Sequence, residues 1–260
     1  MFCHNLWRLD QRGREETTIR TLAISDIHGC YDEFNRLLSE VRYQPEQDQL
    51  VLLGDYVDRG SKSKEVIEQV MELRDEGAVT LRGNHDQMML DAILLDTDEV
   101  NSRWIRNGAR NTIESYCGAD FFDGDMDRSR YNEGKAYIKQ QYEHHLSFLD
   151  TLPLYYETDT HLFVHAGINP NVEDWKLQPP HDFIWIREPF FNYPTGIDKT
   201  VVFGHTPAVN LHDSEHIWFC GDGDKIGIDG ACVYGKQLNC LEITEQQEYR
   251  TYFVRSVPAE

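Results

Sequence analysis

The chain has 260 residues, a formal net charge of −20, and 40% hydrophobic and 27% charged residues. That is long enough for one large domain or two small ones with a sizeable core, and it contains no apolar run fit to span a bilayer. A surface this acidic repels polyanions, so nucleic acids and anionic membranes are disfavoured as partners, and a bound phosphate would need cations gathered locally.

Residues 1–18 read as an N-terminal appendage, with Leu6, Trp7 and Leu9 able to dock it on the body. They hold no continuous apolar core of the secretory kind, which predicts a cytoplasmic protein. The six cysteines include no C-x-x-C pair, so reduced, mostly buried thiols are expected rather than a zinc knuckle. From Ile19 onward a single domain to about residue 255 is expected.

Its first element is a strand, IRTLAIS, which runs into Asp26-Ile27-His28-Gly29. A helix follows from Asp32, with Phe34, Leu37, Leu38 and Val41 on one face. LVLLG at 50–54 is a second buried strand ending at Asp55, and Ser63–Asp75 is a second helix with Val66, Ile67, Val70 and Leu73 inward. AVTLRG at 78–83 is a third strand, ending at Asn84-His85-Asp86. Strand–helix–strand–helix–strand predicts a mainly parallel sheet flanked by helices. Residues 87–151 read as largely helical. The second half is β-rich, with strands expected at 154–157, 161–165, 200–204, 216–220, 225–229, 238–243 and 248–254. The fold class is therefore α/β, a β-sandwich of mixed sheets flanked by helices.

Strand ends in α/β folds gather ligands. Here five of them carry Asp, Asn or His beside glycine: Asp26/His28, Asp55/Asp58, Asn84/His85, His165 and His205. Any one block alone reads better as a turn aspartate or a satisfied histidine. Together they would bring many oxygen and nitrogen groups to one edge, and buried carboxylates without partners are costly.

The blocks Asp26-Ile27-His28-Gly29, Gly54-Asp55-Tyr56-Val57-Asp58-Arg59-Gly60, Arg82-Gly83-Asn84-His85-Asp86, His165-Ala166-Gly167 and Gly204-His205-Thr206 resemble, in order, the motifs of the phosphoprotein phosphatase family of calcineurin-like metallophosphoesterases. The resemblance runs from about residue 20 to 206, and on through Asp229-Gly230-Ala231. It implies the calcineurin-like fold and two metal ions. Asp26 and His28 would hold the first ion, Asp55 would bridge, and Asn84, His165 and His205 would complete the second site. The mixed donors suit manganese first, with iron, zinc or cobalt as alternatives. A hydroxide shared by the two metals would attack phosphorus directly, with no covalent phospho-enzyme. His85 would be the general acid, with Asp58 orienting it and favouring its imidazolium form. Arg59, Asn84 and Arg187 would bind the phosphate. Asp86 reads as a supporting carboxylate at a helix start.

Asp86 in place of Glu, and His165-Ala166-Gly167 in place of a His-Gly-Gly, point to the bacterial and phage branch. That branch includes serine/threonine phosphatases and dinucleoside tetraphosphatases. The symmetrical tetraphosphatases usually lack the counterpart of Asp58. A phosphoserine or phosphothreonine phosphatase, also active on small phosphate esters, is therefore the expected activity. Diadenosine tetraphosphate hydrolysis is the alternative, and a non-catalytic metal-binding regulator is the remote one. The segment Trp104-Ile105-Arg106-Asn107-Gly108 reads either as an active-site rim or as a packed helix and turn, and His144-His145 as structural or solvent-facing.

Overall fold

The computed structural model describes residues 20–257, so the reading of residues 1–18 lies outside the described residues. In chain order the elements begin with β1 (Arg20–Ile24), α1 (Tyr31–Glu40), β2 (Asp48–Leu52), α2 (Ser63–Asp75) and β3 (Val79–Thr80). A helical stretch follows: α3 (Asn84–Leu94), α4 (Asp98–Asn107), α5 (Ala109–Cys117), α6 (Arg128–Gln141) and α7 (Glu143–Asp150). The remainder is β4 (Tyr155–Glu157), β5 (His161–Val164), α8 (Pro180–Trp185), α9 (Glu188–Asn192), β6 (Thr200–Phe203), β7 (Trp218–Phe219), β8 (Lys225–Gly227), β9 (Gln237–Ile243) and β10 (Tyr249–Arg255).

These strands form two mixed sheets, ordered β10-β9-β1-β2-β3 and β4-β5-β6-β8-β7. The pairs β1–β2 and β2–β3 are parallel, as the alternation of strands and helices requires, while β9 and β10 return antiparallel at one edge. In the second sheet β5, β6 and β8 are parallel, and β4 and β7 are antiparallel edges.

Side-chain alternation explains the layering. Leu22, Ile24, Leu50 and Leu52 face the helices α1 to α7, whereas Ala23, Val51 and Leu53 face Phe163, Val202 and Ile226 of the other sheet. Leu162, Val164, Val201 and Phe203 point outward again, onto Phe183, Ile184 and Phe190 of α8 and α9. Strands buried on both faces must be apolar at every position, which is why they read as continuous hydrophobic runs. The order of layers is thus helices, sheet, sheet, helices. No helix among the described residues is long and apolar enough to cross a membrane.

The expected strands are present, but several are shorter. AVTLRG pairs only at Val79–Thr80, and 216–220 only at Trp218–Phe219. The helices α8 and α9 went unassigned in the sequence because they have six and five residues, too few for a 3.6-residue period to show.

Candidate metal centre

The loops after β1, β2, β5 and β6, with the first turn of α3, meet at one edge of the paired sheets. The β1–β2 ladder continues past its strands: Asp26 N donates to Gly54 O (3.2 Å), His28 N to Asp55 O (2.9 Å) and Gly29 N to Tyr56 O (3.0 Å). The β5–β6 ladder likewise continues, with Gly204 N donating to His165 O (2.8 Å), and across the sheets His205 N donates to an Asp26 carboxylate oxygen (2.9 Å).

Six of the non-glycine residues here lie in the left-handed region: Asp26, His28, Asp55, Asp58, Arg59 and His205, with φ from 46° to 74°. Side chains other than glycine and asparagine disfavour this region, and such strain persists only where surrounding contacts enforce it. One enforcing contact comes from Asp86 on α3. It accepts hydrogen bonds from Gly83 N (2.8 Å), Asp55 N (2.9 Å) and Tyr56 N (3.0 Å). The supporting role read for Asp86 is what the contacts show. Gly83 has its own reason: a Cβ there would lie 2.1 Å from Asp55 Oδ1.

Asp55 sits between two imidazoles. Its Oδ2 is 3.4 Å from His28 Nε2 and its Oδ1 is 3.4 Å from His165 Nε2. Both rings are held by backbone carbonyls, with His28 Nδ1 at 2.7 Å from Val57 O and His165 Nδ1 at 2.9 Å from Leu53 O. Those contacts assign the proton to Nδ1 and leave the Nε2 lone pairs facing the carboxylate. Asn84 Oδ1 lies 2.9 Å from His165 Nε2, and His205 Nε2 is buried with no hydrogen-bond partner.

Two groups of donor atoms fall within 4.8 Å of one another: His28, Asp55 and His85, and Asp55, His165 and His205. Asp55 belongs to both. The second group shares Asp55, His165 and His205 with the set expected from the sequence, and Asn84 Oδ1 lies beside it at 2.9 Å from His165 Nε2. The first differs in that His85 stands in it, while Asp26 does not. Asp26 turns its Oδ2 to Ser25 Oγ and His205 N, although it lines the same cleft.

His85 and Asp58 are joined, Nδ1 to Oδ2, at 2.7 Å, and both are buried. The other oxygen of Asp58 accepts from Trp104 Nε1 (2.8 Å) and Thr112 Oγ1 (2.7 Å). Trp104-Ile105-Arg106-Asn107-Gly108 is therefore a support beneath the site rather than its rim. Thr112 had no sequence signal as a site residue, and Trp104 only that of its segment. His144 is exposed; His145 is buried and bonded to Tyr116 (2.9 Å), away from the cleft.

Burial dominates the electrostatics. It pushes Asp55 well above the usual carboxylate range, with Asp26 and Asp86 adding repulsion, and pushes Asp229 up in the same way with Asp26 beside it. His28, His165 and His205 are held below the usual imidazole value, again first by burial. Asp58 is pushed up to about 7 by burial, against its hydrogen bonds from Thr112 and Trp104. His85 is pushed well below its usual value by burial, Arg59 and His165. Burial, Arg59 and His165 thus hold His85 toward its neutral form, opposite to the imidazolium expected from Asp58, and the carboxylate acts on the ring through the 2.7 Å contact that orients it.

The cleft, about 390 Å³, is lined by Asp26, His28, Arg59, Arg187, His205 and Asp229 among others. Arg59 donates to His28 Nε2 (2.6 Å), and Arg187 donates to Thr206 Oγ1 (2.9 Å) and His205 O (3.4 Å). Asp229 was quoted in the sequence only as the far end of a resemblance; the structure brings it to the site wall. Neutral imidazoles, an unpartnered His205 nitrogen and crowded buried carboxylates fit divalent cations, which would relieve that repulsion and take up those lone pairs.

A family model described as calcineurin-like phosphoesterase matches residues 19–243. The chain is 30% identical over 227 residues to serine/threonine-protein phosphatase 1 of Salmonella typhimurium, covering 85% of this chain and 90% of that one. It is 32% identical over 280 residues to the symmetrical bis(5'-nucleosyl)-tetraphosphatase of Pasteurella multocida, with 91% and 98% covered. Its fold resembles that of a protein serine/threonine phosphatase from Saccharomyces cerevisiae, with a TM-score of 0.60 at 14% identity, covering 94% of this chain and 82% of that one.

Proposed function

The chain belongs to the calcineurin-like phosphoesterase family and is a hydrolase, and from that premise we propose that residues 19–255 act as one domain that hydrolyses phosphate monoesters, phosphoserine and phosphothreonine first among them. The observation that carries this reading is Asp55, with one carboxylate oxygen toward His28 and the other toward His165. In this reading Asp26 and His28 would hold one cation, Asn84, His165 and His205 would hold the other, and Asp55 would serve both. Manganese is the first choice, with iron, zinc or cobalt as alternatives. When bound, the two cations supply Lewis acidity and a nucleophile at neutral pH.

The chain's own groups do the rest. Arg59 and Arg187 offer guanidinium forks to the phosphoryl oxygens from the cleft wall. Asn84 offers its amide beside them. His85 holds a proton at Nε2 for the departing oxygen, while Asp58 fixes the ring through Nδ1. Burial keeps bulk water from competing for that proton.

The choice of substrate turns on the leaving group. A serine or threonine alkoxide is a poor leaving group and needs an oriented acid; a nucleotide released from a polyphosphate is a far better one and needs it less. The buried Asp58–His85 pair supports the monoester reading on that ground. The relatives weigh the other way, since more of those found are named as symmetrical tetraphosphatases. Diadenosine tetraphosphate is accordingly the second reading. Side-by-side kcat/KM values on a phosphothreonine peptide and on diadenosine tetraphosphate, with manganese added, decide between them. Higher efficiency on the dinucleotide overturns the first reading.

A further inference from the structure

The cleft has a second half that the metal centre does not use. Beyond Arg59 its wall is the tight turn Cys232–Tyr234, whose tyrosine is 60% exposed although it is among the largest apolar side chains of the chain. The turn is rigidly built. It is bounded by left-handed residues on both sides, Ala231 (φ 57°) and Gly235 (φ 77°). Tyr234 N donates to Ala231 O (3.0 Å), Gly235 N to Cys232 O (3.0 Å) and Gln237 N to Gly230 O (3.1 Å). A side chain on Gly230 would strike Gln237 O at 2.3 Å, and the Cys232 side chain is buried beneath the turn.

Asp229 ties this turn to the segment around Ala208. Its Oδ1 accepts from the strained Ala231 N (2.8 Å), and its carbonyl accepts from Ala208 N (2.8 Å). Pro207 and Val209, the latter 42% exposed, line the same cleft. The guanidinium of Arg59 lies 5.3 Å from the centroid of the Tyr234 ring. One phosphate-binding group thus touches both the metal edge and the aromatic wall.

An exposed aromatic ring on a strained, cross-braced turn, lining one cleft with apolar side chains and a phosphate-binding arginine, suits a flat apolar group attached to a phosphate. We propose that Tyr234, with Pro207 and Val209 of the same cleft, forms a leaving-group subsite that stacks a planar aromatic ring, either a nucleobase or an aryl group. Tyr234 is then a specificity-determining residue. It raises the efficiency of aromatic phosphates over aliphatic ones, because every aromatic ring offers a face to stack on and an alkyl chain does not. This rests on the phosphoesterase reading above, but on substrate it favours a dinucleotide or an aryl ester over phosphoserine and phosphothreonine.

The test is a selectivity ratio: kcat/KM on p-nitrophenyl phosphate, a phosphotyrosine peptide and diadenosine tetraphosphate, each divided by kcat/KM on glycerol phosphate. Tyr234→Ala is expected to lower the ratio for at least one aromatic substrate about tenfold, the size of one lost stacking contact, and Tyr234→Phe to keep it. A larger fall for the dinucleotide than for the two aryl substrates assigns the subsite to a nucleobase, and the reverse assigns it to an aryl group. Ratios unchanged within about twofold overturn the proposal, as does a fall shared by glycerol phosphate, which would place Tyr234 behind Arg59 alone. A second readout does not need turnover: calorimetric affinity of the wild-type protein and of Tyr234→Ala for adenosine 5'-monophosphate, phenyl phosphate and glycerol phosphate. Loss of the preference for an aromatic phosphate in the variant supports the subsite even if the wild type hydrolyses none of the substrates, and no preference in the wild type overturns it. Wild-type inactivity on every substrate would count against the phosphoesterase reading instead.

Discussion

In the proposed function Asp55 and His85 divide the chemistry at the level of single residues. Asp55 faces an imidazole with each oxygen, so removing one oxygen's charge should disturb both donor groups at once. Asp55→Asn is expected to lower bound metal and to cut activity on p-nitrophenyl phosphate by at least about a hundredfold; metal content and rate, measured on the same sample, check this. His85 should behave differently according to the leaving group. His85→Asn is expected to slow phosphothreonine hydrolysis by about 10²–10⁴-fold but p-nitrophenyl phosphate hydrolysis far less, because p-nitrophenolate departs without a proton. Equal losses on the two substrates would place His85 among the metal ligands, where its position beside His28 and Asp55 also allows it to stand. Much of this site was legible in the sequence because its residues sit in short blocks: Asp55, Asp58 and Arg59 within one turn, and Asn84 with His85. The supports of Asp58 were not legible. Trp104 and Thr112 reach it from 46 and 54 residues away, and neither residue type announces such a bond.

The elements explain why those blocks meet. Parallel β1 and β2 end side by side, β5 and β6 end opposite them, and α3 begins at the same edge. Gly83, which opens α3, is fixed by the nearness of Asp55. Gly83→Ala is expected to leave the far-ultraviolet circular dichroism close to wild type while lowering metal affinity about tenfold or more, since its methyl would displace the carboxylate; a metal titration followed by calorimetry reads it. The helical layer has its own bolt. Lys135 on α6 is buried and donates to Ala92 O (3.1 Å) and Asn101 Oδ1 (2.7 Å), joining α6 to α3 and α4. Lys135→Ala removes those bonds and leaves Asn101 Oδ1 with only the Tyr131 hydroxyl as donor. It is expected to cost about 3 kcal/mol in chemical denaturation with little change in KM. Long elements were visible from periodicity, as α2 was over Ser63–Asp75. The short α8 and α9, and the two-residue β3 and β7, are set by contacts with the sheets, which a local pattern does not record.

For the whole molecule, the four layers bury titratable groups far from the cleft as well as in it. Burial pushes His145 and His161 down to about 4. An unfolded histidine titrates near 6.5, so between about pH 6.5 and 4 the unfolded chain binds protons that the folded chain refuses. Stability should be flat with respect to these two groups above pH 6.5 and fall as the pH drops through that window, by about 1–2 kcal/mol for each after allowing for solvent screening. Denaturant melts of chelator-treated protein at pH 7 and pH 5 measure the fall, and His161→Leu should shrink it. The net charge of −20 has a matching consequence. Substrate phosphate approaches against a repulsive field, so moderate salt should raise kcat/KM on anionic substrates rather than lower it.

The central claim is that two cations, joined by Asp55, make this chain a phosphoesterase. Stepwise addition of manganese to chelator-treated protein, with p-nitrophenyl phosphate hydrolysis followed at each step, tests it most directly. The account predicts that activity rises to a plateau at two equivalents of metal and that Asp55→Asn shows no such plateau. A plateau at one equivalent, or two bound equivalents with no hydrolysis, would contradict it.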